Sequence, residues 1–176
     1  LERASARIGR RVYLLSDEAY SRIVFDGQVC PSPTSYYPYS LLLYTYGKTL
    51  LTPGQRIGFI GLPPLLPDRH ELFNAILTTQ ISLGWLFPNA LLQHALGDLE
   101  KLSIDMGHLQ QKRDMMVGAL REMGYEVHNP EATFYLLPKS LLADDPEFCR
   151  QLTEHNILVL PGYFRISLTA NDDMIK

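Results

Sequence analysis

The feature that most limits what this chain can fold into is Leu41-Leu42-Leu43-Tyr44-Thr45-Tyr46, an apolar and aromatic run that stops at Gly47-Lys48. A short run with no polar alternation suits a buried strand, whereas a helix needs a longer periodic pattern. Two runs of the same kind stand on either side of it. Val12-Tyr13-Leu14-Leu15 leads into Ser16-Asp17-Glu18, and Arg56-Ile57-Gly58-Phe59-Ile60-Gly61 follows the turn Thr52-Pro53-Gly54. Three strands separated by loops, each with a polar residue at one end, predict a buried sheet that carries a site at its edge.

Beyond Gly61 the period changes to that of helices. Asp68 with Glu71 has the form of a capping box, and Leu72, Phe73, Ile76 and Leu77 supply one apolar face. Pro88 suits a first helical position ahead of Leu91, Leu92, Ala95, Leu96 and Leu99. Ser103 is expected to cap a longer helix that turns Met106, Leu109, Met116, Leu120 and Met123 inward and closes at Gly124. Tyr125–His128 and Thr133–Leu137 read as strands around the turn Asn129-Pro130. Asp145-Pro146 opens a short helix, and Ile157–Leu160 and Phe164–Leu168 read as two further strands. The expected fold is α/β to about residue 105, followed by a connecting helix and a small α+β unit. The chain starts without Met in a helix-like stretch, Leu1–Gly9, and stops just after Asn171, an N-cap whose helix has barely begun. It reads as a piece of a longer protein.

Composition narrows the class. The 176 residues are 46% hydrophobic and 20% charged with a formal net charge of -3, as in an ordinary globular protein, and give no reason to expect nucleic acid or an anionic membrane as partner. Arg3, Arg7, Arg10 and Arg11 are read as a solvated helix face in preference to a phosphate-binding patch. Cys30 and Cys149 lie far apart, which fits a reducing, cytoplasmic setting without a disulfide framework. The five histidines show no metal-ligand spacing, so no metal is expected. No apolar run is long enough for a transmembrane helix, and no signal peptide is visible.

The chemistry gathers in Thr45-Tyr46-Gly47-Lys48 and the stretch to Gly58. A lysine directly after a buried strand and beside glycine is oddly placed for a surface residue, and desolvation favours the neutral amine that Schiff-base chemistry needs. Eight residues on, Arg56 opens the next strand, where a guanidinium can hold a phosphate by two parallel hydrogen bonds. Thr45 can add a hydroxyl. Asp17 ends another strand and Tyr20 follows three residues later, on the same side if a turn begins there. A carboxylate against a pyridine nitrogen keeps that ring protonated, and a protonated ring is an electron sink. Taken singly, Lys48 also fits an ordinary strand-end lysine, Asp17-Glu18 a charge pair at a helix N-terminus, and Arg165 a strand-end arginine in a surface ion pair.

Together, Asp17-Glu18-Ala19-Tyr20, the Lys48–Gly58 stretch with its Pro-Gly-x-Arg-x-Gly ending, and Phe164-Arg165-Ile166-Ser167-Leu168 resemble the aminotransferase class I/II family of pyridoxal-phosphate enzymes of fold type I. The resemblance implies that residues 1–105 are part of the cofactor-binding large domain, a mainly parallel sheet with flanking helices. Residues 106–176 would be the connecting helix and small C-terminal α+β domain, truncated at both ends. It implies that Lys48 forms the internal aldimine with pyridoxal 5'-phosphate and serves as general acid and base. Asp17 would pair with the pyridine nitrogen, Tyr20 with the ring hydroxyl, and Arg56 with Thr45 would grip the phosphate. Arg165 would clamp the α-carboxylate of an amino acid or 2-oxo acid substrate, and a homodimer is implied.

The chain departs from the pattern in places. Gly47 stands where a serine is common, and Thr45 replaces a commoner serine. The family's Asn-Pro-x-x-Pro-Thr-Gly segment and the aromatic residue that stacks on the ring are expected before Leu1. Pro161-Gly162-Tyr163-Phe164-Arg165 is shorter than the family's loop. The expected activity is amino transfer. Another fold-type I reaction (oxidase or hydroxylase, lyase, decarboxylase) and an aminotransferase-like regulatory domain are the alternatives. Trp85 and His94 are secondary pocket candidates beside their reading as core or surface residues.

Overall fold

A computed structural model describes residues 1–85, 87–159 and 164–175. The chain divides into two compact units, one of Leu1–Arg22 with Val29–Ile104, the other of Ile23–Gln28 with Asp105–Lys176.

In the first unit, α1 (Glu2–Ile8) ends at Gly9, whose φ of 67° is the left-handed cap that glycine adopts without strain. A three-stranded sheet follows in the order β1 (Leu14–Asp17), β2 (Ser40–Thr45), β3 (Gly58–Gly61). β1 runs parallel to β2, with Leu14 opposite Ser40 and Asp17 opposite Leu43. β3 runs antiparallel, with Thr45 opposite Gly58. β1 starts two residues later than the apolar run suggests, because the ladder begins where β2 begins. Val12 lies beyond it, its carbonyl accepting from the Tyr37 hydroxyl at 2.5 Å.

The sheet is less buried than its composition predicts. Ser40, Leu41 and Tyr44 of β2 are buried, but Leu15 of β1 is 60% exposed and β3 is largely open. Its core is local: Tyr44, Tyr46 and Ile57 pack with Leu50, Leu92 and Leu96. β3 lies so close to β2 that a Cβ on Gly58 would run into the Tyr44 carbonyl oxygen, which gives the glycine of Pro-Gly-x-Arg-x-Gly a packing reason.

The helices correct the expected caps. α3 (Arg69–Ser82) follows Asp68, but Asp68 makes no capping bond. Its carboxylate is taken by the Arg11 guanidinium and by the Tyr13 hydroxyl at 2.8 Å. None of the residues of α3 is buried, and among the described residues its apolar face is only partly covered, at Leu72 and Ile76. α4 (Ala90–Leu99) is capped by Asn89, whose Oδ1 accepts from the N–H groups of Leu91 at 2.9 Å and Leu92 at 3.3 Å. Pro88 therefore precedes the cap rather than opening the helix.

In the second unit, α5 (Met106–Glu122) is capped by Asp105 in place of Ser103, with the His108 N–H donating to Oδ1 at 2.9 Å. A carboxylate is the stronger acceptor for the free N–H groups of a first turn. The inward residues are Leu109, Arg113, Val117 and Leu120, while Met123 is 66% exposed. Gly124, at φ 91°, closes the helix as expected. Next come β4 (Tyr135–Leu136), α6 (Asp145–Glu154), β5 (Ile166–Ser167) and α7 (Asp172–Ile175). β4 and β5 pair antiparallel, Tyr135 opposite Ser167. Asn171 caps α7 as read, its Oδ1 accepting from the Met174 N–H.

Two expected strands do not form. Tyr125–His128 contributes buried Val127 and one carbonyl, on Glu126, that accepts from the Lys139 N–H, but has no ladder partner. Ile157–Val159 is irregular, and Leu160 lies outside the described residues. The antiparallel neighbour of 131–133 is instead the Ile23–Phe25 segment, through Phe25 N–H to Glu131 O and Thr133 N–H to Ile23 O, both 2.8 Å. Among the described residues no helix is long and apolar enough to cross a membrane.

Candidate active site

Parallel pairing of β1 with β2, and antiparallel pairing of β2 with β3, put three stretches at one end of the sheet. These are the carboxyl ends of β1 and β2 and the start of β3, the edge at which open sheets of this kind hold ligands. Each stretch is shaped by local chemistry. Asp17 closes β1, and its Oδ1 accepts from the Ala19 N–H at 3.1 Å in a turn that carries the chain round to Tyr20. The Glu18 N–H donates to Leu43 O, tying this turn to β2, and the Glu18 carboxylate accepts from the Ser32 hydroxyl at 2.6 Å.

Thr45 closes β2 and caps α2 (Tyr46–Thr49), a single helical turn, by accepting from the Gly47 N–H at 3.3 Å. Its own hydroxyl proton goes to Ile57 O at 3.2 Å, so Thr45 must rotate away from that carbonyl before it can donate to a phosphate. Lys48 is carried on α2, and its Nζ lies over the Tyr20 ring, 5.6 Å from the ring centre. Gly47, immediately before the lysine, leaves room: a Cβ there would sit 3.4 Å from Thr52 O.

Arg56 is exposed just before β3, one of its NH1 hydrogens bonded to Pro53 O at 3.1 Å. Thr45, Arg56 and Gly58 line a cavity of about 590 Å³ whose far wall includes Phe59, Phe73 and Trp85. His94 is exposed on α4 and does not line it.

The structure thus brings Lys48 into contact with Tyr20 and sets Thr45 and Arg56 around one cavity. Asp17 joins them by strand register, at the same end of the sheet. Among the described residues no carboxylate pairs with Lys48 or Arg56. Lys48, Tyr20 and Asp17 do not line that cavity, but an amine, a guanidinium, a phenol and a strand-end carboxylate at one end of the sheet are the group types that suit a phosphate ester carrying a basic aromatic ring and an aldehyde, as pyridoxal phosphate does. Arg165 belongs to the second unit, immediately before β5, its guanidinium carbon 4.0 Å above the centre of the Tyr135 ring. Pro161, Gly162 and Tyr163, in the shortened stretch before it, lie outside the described residues.

Behind the site is a cluster that the sequence pattern did not disclose. Glu100 accepts from the hydroxyl of buried Tyr46 on one oxygen, and its other oxygen pairs with the Arg22 guanidinium at 2.7 Å. Arg22 also lies over the Tyr44 ring at 4.7 Å, and the Tyr44 and Thr49 hydroxyls share a hydrogen bond of 2.6 Å. Burial, with the Glu100 carboxylate as acceptor, pushes the Tyr46 phenol up to about 12. Hydrogen bonds from Tyr46 and then Arg22 hold Glu100 below the usual carboxylate value. One local signal was available in the sequence: Asp98 and Glu100 put negative charge at the end of a helix, where the dipole disfavours it.

The family model for aminotransferases of class I and II matches residues 5–176. The chain is 28% identical to the LL-diaminopimelate aminotransferase of Natranaerobius thermophilus, over 94% of this chain and 46% of that protein. It is 28% identical to the methionine aminotransferase of Escherichia coli, over 87% and 41% of the two. An amino transferase structure from Eubacterium rectale superposes with a TM-score of 0.92 at 32% identity, covering 99% of this chain and 46% of that one. The chain therefore spans about half the length of the relatives it matches.

Proposed function

The chain belongs to the aminotransferase class I and II family, and from that premise we propose that it supplies the lysine-bearing half of a transaminase, moving amino groups between an amino acid and a 2-oxo acid. Its fold is that of the fold type I aminotransferases. Proteins of this family use pyridoxal phosphate, which when bound supplies a carbonyl to receive the amine and a ring to draw charge from the substrate Cα.

The chain's own residues have separable tasks. Lys48 Nζ would hold the cofactor, and the same amine would take and return the proton at the substrate Cα. Tyr20 donates its phenol proton to the ring hydroxyl. Asp17 keeps a proton on the ring nitrogen by accepting from it. Arg56 would hold the phosphate through its guanidinium edge, and Thr45 would add its hydroxyl on leaving Ile57 O. Arg165, whose guanidinium lies over the Tyr135 ring, takes the substrate α-carboxylate. Residues 1–105 act as part of the cofactor-binding domain, and 106–176 as the connecting helix and small domain.

The observation that supports this reading best is the meeting of Lys48 and Tyr20 at the sheet end that also carries Asp17, Thr45 and Arg56. The working protein is a homodimer, a state that the exposed part of the apolar face of α3 favours. Its place is the cytoplasm, in amino-acid metabolism, a setting that fits a sequence with only two cysteines, Cys30 and Cys149, far apart. Borohydride reduction of the intact protein with pyridoxal phosphate, followed by peptide mapping, should find the phosphopyridoxyl group on Lys48. A group mapped elsewhere, or none on the folded protein, counts against the proposal. With one amino acid and no acceptor, stoichiometric pyridoxamine phosphate is expected. Carbon dioxide release or oxygen uptake would assign a different reaction to the same fold.

A further inference from the structure

The geometry points to Glu100 as a positioning residue that sets Lys48 and Tyr20 in one fixed relation. The inference rests on the reading of Lys48 as the cofactor lysine.

Glu100 reaches the site from both sides. Tyr46, whose hydroxyl it accepts from, is the first residue of α2 and stands two residues before Lys48. Arg22, which pairs with its other oxygen at 2.7 Å, stands two residues after Tyr20. The far side of Lys48 is tied into the same group of side chains. Buried Thr49 is bonded to the Tyr44 hydroxyl, and the Tyr44 ring lies under the Arg22 guanidinium. The single turn that carries Lys48 is therefore held at both ends, and each hold leads back to the Arg22–Glu100 pair. A helix of four residues has too few internal hydrogen bonds to fix a side chain by itself, so its geometry depends on such outside contacts.

A carboxylate next to the C-terminus of α4 opposes the helix dipole, so the helix gains nothing from it. Its use is the bridge. Glu100 touches neither cofactor nor substrate in this scheme and acts only through the two turns it joins.

Glu100→Gln keeps an acceptor for Tyr46 and removes the charge that holds Arg22, whereas Tyr46→Phe removes only one hydroxyl and keeps the ring packing. The intact protein loaded with pyridoxal phosphate is measured in three ways: borohydride mapping, the midpoint pH of its visible absorbance between pH 5 and 9, and the melting temperature. The Tyr46 phenol, near 12, and the Glu100 carboxylate, below its usual value, both stay out of that window. The reduced group is expected on Lys48 in all three proteins. The midpoint is expected to move by about half a unit or more in each variant, and half-saturation with cofactor should need about tenfold more. Glu100→Asp, keeping the charge, should recover part of both changes. Absence of the group from Lys48 in the native protein would remove the premise and the inference with it. A group on Lys48 with midpoint and half-saturation unchanged in both variants, even if they melt earlier, leaves the premise standing and overturns the positioning role.

Discussion

At the scale of single residues, the two glycines around the lysine turn are unlike in what they tolerate. A Cβ on Gly58 meets the Tyr44 carbonyl, which is backbone in a ladder and has no rotamer by which to withdraw. Gly58→Ala is expected to cost about 1–3 kcal/mol through forced separation of β2 and β3. Gly47→Ala places its Cβ at ordinary contact distances, 3.4 Å from Thr52 O and 3.6 Å from Thr45 Oγ1, and gains helix propensity. It should stay within about 1 kcal/mol of the native protein. Urea unfolding of the two variants side by side separates them, and equal losses would contradict the close-approach reason given for Gly58. In sequence, Lys48 draws notice because a lysine directly after an apolar strand is oddly placed, and Arg56 because it opens the next apolar run; their roles at a cofactor rest on the proposal. The pairing of Arg22 with Glu100 was not legible: the misplaced charge at the end of α4 marks Glu100 as odd, but nothing in a linear pattern names a partner 78 residues away.

At the scale of elements, sequence patterning located the helices better than their beginnings. Ser103 and Asp105 both fit the rule for an N-cap, and only the structure shows which oxygen the first-turn N–H groups find. Asp105→Ala should therefore cost about 1 kcal/mol and Ser103→Ala nearly nothing. A larger loss for Ser103 in thermal unfolding would reverse the assignment. Asp68 was misread as a cap for a different reason: Arg11 and Tyr13, more than fifty residues upstream, compete for its carboxylate.

The short strands failed in a third way. Tyr125–His128 has strand composition, but the neighbour available to 131–133 is Ile23–Phe25, and a strand needs a partner as much as a propensity.

α5 depends on a contact equally hidden from sequence. Arg113, 2% exposed, holds both carboxylate oxygens of Asp26 at 2.6 and 2.9 Å, donates to Pro130 O and lies over Phe25. Arg113→Ala should cost about 2–4 kcal/mol in lost hydrogen bonds and packing. That is less than stranding a wholly buried charge, because the Asp26 side chain is 43% exposed and water can take Arg113's place on it. Hydrogen bonds from Arg113, and its charge, lower the Asp26 pKa below 3.8 despite some desolvation. In acid the unfolded chain therefore binds this proton first. The stabilisation is complete above about pH 4–5 and is lost as pH falls through the lower, folded value. Asp26→Asn should flatten that part of the acid-unfolding curve. A variant that still loses stability as steeply as the native protein would assign the dependence to other carboxylates.

For the whole molecule, the question is what covers the surfaces that the chain leaves open. β1 and β3 each have one edge without a partner among the described residues, and β3 exposes Phe59 and Ile60. α3 carries Phe73, Leu77 and Ile81 on its surface and buries none of its residues, though a fourteen-residue helix in water ordinarily draws its stability from a packed face. Sequence reading found an apolar face there and no more, because periodicity tells that a face is apolar and not which molecule it meets. Isolated apolar residues on a surface are common, but a run of them along one helix, with Leu83, Trp85 and Phe87 following, is the kind of patch that marks an association surface. If a second copy covers it, the intact protein sediments as a dimer. Leu77→Lys with Ile81→Lys, one turn apart on the same face and both good helix formers after substitution, should then shift it toward monomers. The helix content by circular dichroism should be unchanged, since neither side chain is buried within the subunit. Dimers that persist with both lysines present would place the contact elsewhere. A native protein that is monomeric at all concentrations would mean that the face is covered within one polypeptide, and that the homodimer drawn from the family does not hold here.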